Sequence, residues 1–140
     1  MNALPTTLAL LTLFLAHGAG STDERPPYVG RVERDLAEHI NRGSVACGFV
    51  PLGQPVAEAV RCAVENLAAA RPFHVAFQRR GVDSVVWEIV VADASGVARI
   101  GNWDSDPTGG KRLRPMLSFA NCQNLRFSAK VDDPVSCITP

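Results

Sequence analysis

The sequence predicts an α+β domain, with one or two helices packed on a three- to five-stranded antiparallel sheet and stapled by disulfides. Three observations lead to this prediction. Residues 55–70 have the apolar pattern of a helix, and short segments with alternating apolar residues follow between positions 73 and 129. Four cysteines are present, Cys47, Cys62, Cys122 and Cys137.

The first residues have the features of a secretory leader, and residues 1–20 are predicted to be removed as a signal peptide. Residues 8–16 (LALLTLFLA) are an uninterrupted apolar run, long enough for a signal core and too short to span a bilayer. Small residues at positions 18–21 suit a cleavage site. We therefore expect a secreted or periplasmic protein, in which residues 21–140 form a single domain with a flexible start at residues 21–30 and no membrane span.

A short amphipathic helix is predicted first, at the periphery of the domain. Residues 31–41 carry apolar side chains four positions apart with charged residues between them. Residues 45–52 (VACGFVPL) then indicate a short extended segment. Pro51 excludes this segment from the centre of a sheet, because proline cannot donate to a neighbouring strand.

The clearest helix begins at Pro55 and ends near Ala70, before Pro72. Its apolar stripe consists of Val56, Val60, Ala63 and Leu67. Strands are predicted over residues 73–78, 85–91 and 97–103, with a hairpin signal (DASG) between the last two. This succession of strands forms the sheet that the helix stripe would cover.

The last third of the chain has weaker patterns. Residues 116–122 and 125–129 each contain enough apolar residues for a short strand. Cys137 lies three residues beyond Pro134 and would tie down a C-terminal tail that is otherwise free to fray.

An even number of cysteines in an exported chain indicates two disulfides, for which three pairings exist. Cys62 lies opposite the apolar stripe of its helix, so its partner is expected in a segment over the outside of that helix. This argument favours Cys47–Cys62 and Cys122–Cys137. Each bridge would close a loop of about 15 residues. In the chain-entropy model, a bridge of this size stabilises the folded state by roughly 3 kcal/mol.

The charge balance excludes several classes of partner. The chain has 14 basic and 14 acidic residues, with no basic block of the kind that nucleic acids or anionic lipids require. No cofactor or metal site is predicted. The cysteines lack the C-x-x-C spacing of zinc sites.

The acidic segment of residues 103–110 (WDSDPTGG) is the most suggestive string. It resembles in part the D-x-D-x-T loop of haloacid-dehalogenase-type phosphatases and in part a calcium loop, although Pro115 occupies the position of the terminal Glu ligand. It also contains ordinary turn formers. Antiparallel strands would bring Asp83 beside Asp104 and Asp106, so these carboxylates are candidates for ligand binding or glycoside hydrolysis.

Histidines and aromatic residues offer few further candidates. His39 lies on the peripheral helix, and His74 is predicted at a solvated strand position. Trp87 belongs to the core alternation and is expected to be buried. Trp103 is a candidate binding anchor beside the acidic turn, and Tyr28 is a second one, because both residue types are favoured at interfaces.

Residues 47–110 resemble small exported bacterial proteins of unassigned function. The motifs that carry this resemblance are C-G-x-V-P-x-G, C-A-V-E, P-F-x-V, G-V-D-S and D-S-D-P-T-G-G. The helix-then-strands order is also similar to cystatin-like and lactamase-inhibitor-like domains, which are binding modules. This second resemblance implies a binding function at the level of fold analogy.

Three functions follow as hypotheses. The first is an exported, non-enzymatic binding or inhibitor-like module whose partner is another exported or envelope protein. The second is a small hydrolase that uses Asp83, Asp104 and Asp106. The third is an accessory protein of the cell envelope.

Overall fold

A computed structural model describes residue 26, residues 28–110 and residues 114–138. The predicted leader, most of the predicted flexible start and residues 111–113 lie outside the described residues. The described elements are α1 (Val29–Leu36), β1 (Val45–Val50), α2 (Ala57–Ala68), β2 (Phe73–Arg79), β3 (Val86–Ala92), β4 (Ala98–Asp104), β5 (Met116–Phe127) and β6 (Val135–Ile138). Neither of these helices has the length and apolar character that crossing a membrane requires.

The six strands form one mixed sheet in the order of the sequence. Strand β1 runs parallel to β2, and the four following pairings are antiparallel. The predicted α+β class and disulfide stapling are confirmed, whereas the predicted count of three to five strands and the wholly antiparallel sheet are wrong. The extended segment before Pro51 joins the sheet at its edge, and α2 then crosses over to β2, which makes this pair parallel.

The two helices cover opposite faces of the sheet. Helix α2 packs over β1 and β2, where Phe73, Val75 and Phe77 alternate inward as predicted. Helix α1 covers the other face, where it contacts a core that includes Trp87 and Trp103.

The predictions for α1 are therefore partly wrong. The helix ends at Leu36, not at residue 41, and it is not peripheral. Val32 is 0% and Leu36 is 1% exposed. The face of the sheet that carries the two tryptophans needs an apolar cover, and this short helix supplies it.

The C-terminal third also departs from prediction. Residues 116–127 form one long strand, not two short ones, and the predicted tail around Cys137 is strand β6. The β5–β6 hairpin folds back over the α2 face of the sheet. Its turn reaches β2, where Arg79 Nη1 donates a hydrogen bond to the Asp132 carbonyl at 2.9 Å.

Both disulfides form with the expected pairing, Cys47–Cys62 and Cys122–Cys137. The reason offered for the first pairing is wrong, because Cys47 lies on the edge strand of the sheet and not outside the helix. The buried side of α2 is centred on Ala59 and Ala63, so Cys62 lies at the rim of the packed face, within reach of β1.

Candidate functional site

The turns that carry the predicted acidic site do lie side by side. The Ser105 N–H donates to the Val85 carbonyl at 3.0 Å, and the Val85 N–H donates to Ser105 Oγ at 2.9 Å. A Cβ atom added to Gly109 would lie 3.3 Å from Asp83 Oδ2, so the Asp83 side chain lies against the second turn. Antiparallel pairing of β3 with β4 produces this juxtaposition, as the sequence predicted.

Two of the three carboxylates are engaged in holding their own turn. Asp104 Oδ1 accepts the Asp106 N–H at 2.9 Å, and Asp106 Oδ1 accepts the Gly110 N–H at 3.3 Å. Such bonds from an aspartate to the backbone two or four residues ahead stabilise turns. Among the described residues, no three His, Cys, Asp or Glu side chains are grouped so that they could hold a metal ion.

Trp103 is not a surface anchor, so that prediction is wrong. Its side chain is 0% exposed, and its Nε1–H donates to Asp35 Oδ2 on α1 at 2.8 Å. The Tyr28 ring lies 5.9 Å from the Trp103 ring, between centroids. Because α1 covers this face of the sheet, Trp103 contributes to the core and to the attachment of α1.

His74 also lies in a different environment from the predicted solvated position. It is 8% exposed, and its Nδ1 shares a hydrogen bond with Ser44 Oγ at 3.0 Å. Burial lowers the pKa of His74, while the negative charge of Glu33 opposes this shift. The imidazole is therefore neutral at pH 7. No local pattern signals this contact, because Ser44 and His74 are brought together by the parallel pairing of β1 with β2.

One feature that sequence reasoning missed is a groove between β1 and α2, which we call the β1–α2 groove. Its volume is about 730 Å³, and it is lined by residues 46–51 and the first two turns of α2, together with Pro26, Gln54 and Pro55. The Cys47–Cys62 disulfide joins the two walls. Glu58, in the first turn of α2, is the charged residue among those that line it.

Among the described residues, β1 pairs with β2 alone, so its other side forms an open edge at one rim of the β1–α2 groove. The Val45 N–H donates to the Pro72 carbonyl at 2.9 Å, so the backbone of Val45 faces β2. Since backbone polar groups alternate in direction along a strand, the N–H and carbonyl of Ala46 point away from β2. A bulge between Ala46 and Phe49, with Gly48 at a φ of 110°, limits the open edge to its first half.

Comparison of the chain with protein-family models, curated proteins and solved structures gives no match. The site is accordingly argued from geometry. An unpaired strand edge beside a groove can accept an extended peptide as an additional strand, with main-chain hydrogen bonds for affinity and the groove for side chains. In the sequence, the only indication of this site was Pro51, which restricted the preceding segment to an edge.

Proposed function

We propose that this protein is an exported, non-enzymatic binding module that takes up an extended segment of another exported protein along β1. The observation that carries the proposal is that, among the described strands, β1 pairs with β2 alone, which leaves the outward backbone of Ala46 without a strand partner at the rim of the β1–α2 groove. A strand added there would direct alternate side chains toward α2. This proposal keeps the binding function expected from the sequence and moves the site from the acidic turns, at the ends of the central strands β3 and β4, to the β1 edge of the sheet.

The lining of the groove defines the chemistry of the partner. Val50 and Ala59 supply apolar wall, and Glu58 supplies a negative charge at the mouth of the groove. A matching segment is extended, carries small or apolar side chains at alternate positions, and includes one Lys or Arg that pairs with Glu58. Such charge complementarity favours specificity and association rate more than affinity.

The architecture also supports binding without large rearrangement. The disulfide between Cys47 and Cys62 links the strand to the helix, so both walls are held in one relative position. A pre-organised site lowers the entropic cost of binding, which for an extended peptide is the main opposing contribution.

The hydrolase hypothesis gains no support from the acidic turns. Asp104 and Asp106 accept backbone hydrogen bonds within their own turn, and the β1–α2 groove is lined by other residues. The envelope-accessory hypothesis differs from our proposal only in the identity of the partner. A partner sequence obtained by selection would distinguish the two.

Selection of a random displayed peptide library on the mature protein tests the proposal. Ala46→Pro removes the outward N–H while leaving the bonds to β2, since proline is tolerated where an edge-strand N–H faces solvent. Selected peptides should bind this variant about fivefold more weakly, as expected from the loss of about 1 kcal/mol for one backbone hydrogen bond. Ala46→Val retains the N–H and is the matched control.

Two further readouts complete the test. Glu58→Gln should weaken peptides that contain Lys or Arg and leave uncharged peptides unchanged. The far-UV circular dichroism of Ala46→Pro should match the unmodified protein. Failure to enrich any peptide, or equal affinity for Ala46→Pro and Ala46→Val, would refute strand addition at β1.

A further inference from the structure

A second concave site lies on the α2 face of the sheet, over β3, β4 and β5. We call it the sheet cleft, and its volume is about 440 Å³. Glu88, Asn102 and Ser118 are cross-strand neighbours in register, so their side chains form a polar row across its floor. Asn102 and Ser118 are exposed, because α2 covers mainly β1 and β2.

An ion pair closes one end of the sheet cleft. Arg79 Nε donates to Glu88 Oε2 at 2.8 Å, and Arg79 Nη2 donates to the same oxygen. Arg79 Nη1 donates to the Asp132 carbonyl of the β5–β6 turn. The two side chains are 22% and 25% exposed, so the pair is shielded from water on most sides. All three guanidinium nitrogens are thus engaged, and the charges of the pair compensate each other.

This arrangement disfavours charged ligands. Three of the five guanidinium N–H groups already donate within the protein, and a carboxylate or phosphate bound to the other two would lie beside the Glu88 carboxylate, which repels it. A cation would have to compete with Arg79 for Glu88, and breaking a shielded ion pair is costly because one charge is left uncompensated. The floor of the sheet cleft therefore provides hydrogen-bond donors and acceptors without a net charge.

The remaining groups define that capacity. Glu88 Oε1 can accept, while the Asn102 amide and the Ser118 hydroxyl can each donate and accept. Val86 and Ile100 flank the polar row with apolar surface. Small-molecule sites characteristically combine apolar walls with a few fixed polar groups in a volume of about 300–1,000 Å³.

We propose that the sheet cleft binds a small uncharged organic molecule that carries hydroxyl or carboxamide groups on an apolar frame. The site lies on β3–β5, whereas the β1–α2 groove lies at the β1 edge, so the two proposals stand on different residues. Variants at Ala46 and at Asn102 therefore separate them.

The experiment is a titration of the ¹⁵N-labelled protein, followed by amide chemical shifts, with three probes that share one frame. These are cyclohexanecarboxamide, cyclohexanecarboxylate and cyclohexylmethylamine. The carboxamide should shift the amide signals of Asn102 and Ser118, and the two charged probes should leave them unchanged. Asn102→Leu, which keeps a similar volume, should reduce carboxamide affinity about tenfold, in line with the loss of one or two hydrogen bonds.

Ala46→Pro is the control and should bind the carboxamide as the unmodified protein does. Three results would overturn the proposal: no shift at the cleft with the carboxamide, equal shifts with a charged probe, or unchanged affinity in Asn102→Leu. None of these results bears on peptide binding at β1. Failure of the peptide selection would in turn leave the carboxamide titration unaffected.

Discussion

Replacing Trp103 by Phe should destabilise the protein, because Trp103 connects the sheet to α1. The substitution keeps an aromatic ring and removes the indole N–H that donates to Asp35 Oδ2 at 2.8 Å. Helix α1 has only 8 residues, and helices of that length are marginal in isolation. Its position therefore depends on packing and on contacts such as this hydrogen bond.

The expected magnitude has two parts. A hydrogen bond to a charged group contributes about 1.5–3 kcal/mol, and the lower end applies because the Asp35 side chain is 32% exposed and screened by water. The smaller ring leaves unfilled volume at a fully buried site, which adds about 1–2 kcal/mol. We expect a total loss of about 3 kcal/mol, a large share of the roughly 5–15 kcal/mol by which domains are stable.

A double-mutant cycle in urea, followed by far-UV circular dichroism, isolates the hydrogen bond. The single variants Trp103→Phe and Asp35→Ala and their combination should give a coupling free energy of about 1.5 kcal/mol. Independent sites are additive within about 0.5 kcal/mol. A coupling below that value, or a Trp103→Phe variant of unchanged stability, would refute the role assigned to this contact.

Two further predictions concern a buried histidine and a crowded glycine. Stability should fall as the pH is lowered below about 6.5, because burial lowers the pKa of His74 in the folded state and the unfolded chain takes up the proton first. The fall should level off below the folded-state pKa. In urea unfolding, His74→Gln should make the free energy of unfolding nearly independent of pH in this range. An unchanged pH dependence would contradict the assignment of the fall in stability to His74. Gly101→Ala would place a Cβ 2.4 Å from Phe119 Cε1, so it should lower the free energy of unfolding by about 1–3 kcal/mol. In thermal unfolding, the same substitution in a Phe119→Ala background should lower stability much less, because the ring is absent. If the stability losses of the two substitutions add, the contact with the ring is not the cause.

Features with a local signal were predictable from the sequence. The alternation of Phe73, Val75 and Phe77 predicted a strand with one face toward a helix, and the structure confirms it. Pro51 predicted an edge position for the segment before it, which β1 occupies. The burial of Trp87 and the meeting of the two acidic turns also followed from alternation and antiparallel pairing.

Features that depend on what covers a surface were not predictable. The pattern of β4 places Trp103 on the face opposite α2, but only the docking of α1 makes that face a second core. The same covering layer turns His74 from an expected solvated residue into a buried one with a lowered pKa. Neither outcome has a signal in the few residues around each position.

Local patterns in the sequence were sufficient to predict the main helix, the central strands, the class of fold and two disulfides, because periodicity, turn residues and cysteine number can be read over short stretches of chain. The parallel pairing of β1, the contact between Ser44 and His74 and both candidate binding sites became visible only in the folded arrangement. Each of these depends on residues far apart in sequence, whose meeting is set by how whole elements pack. The β1–α2 groove likewise requires that α2 packs beside β1, which among the described strands pairs with β2 alone.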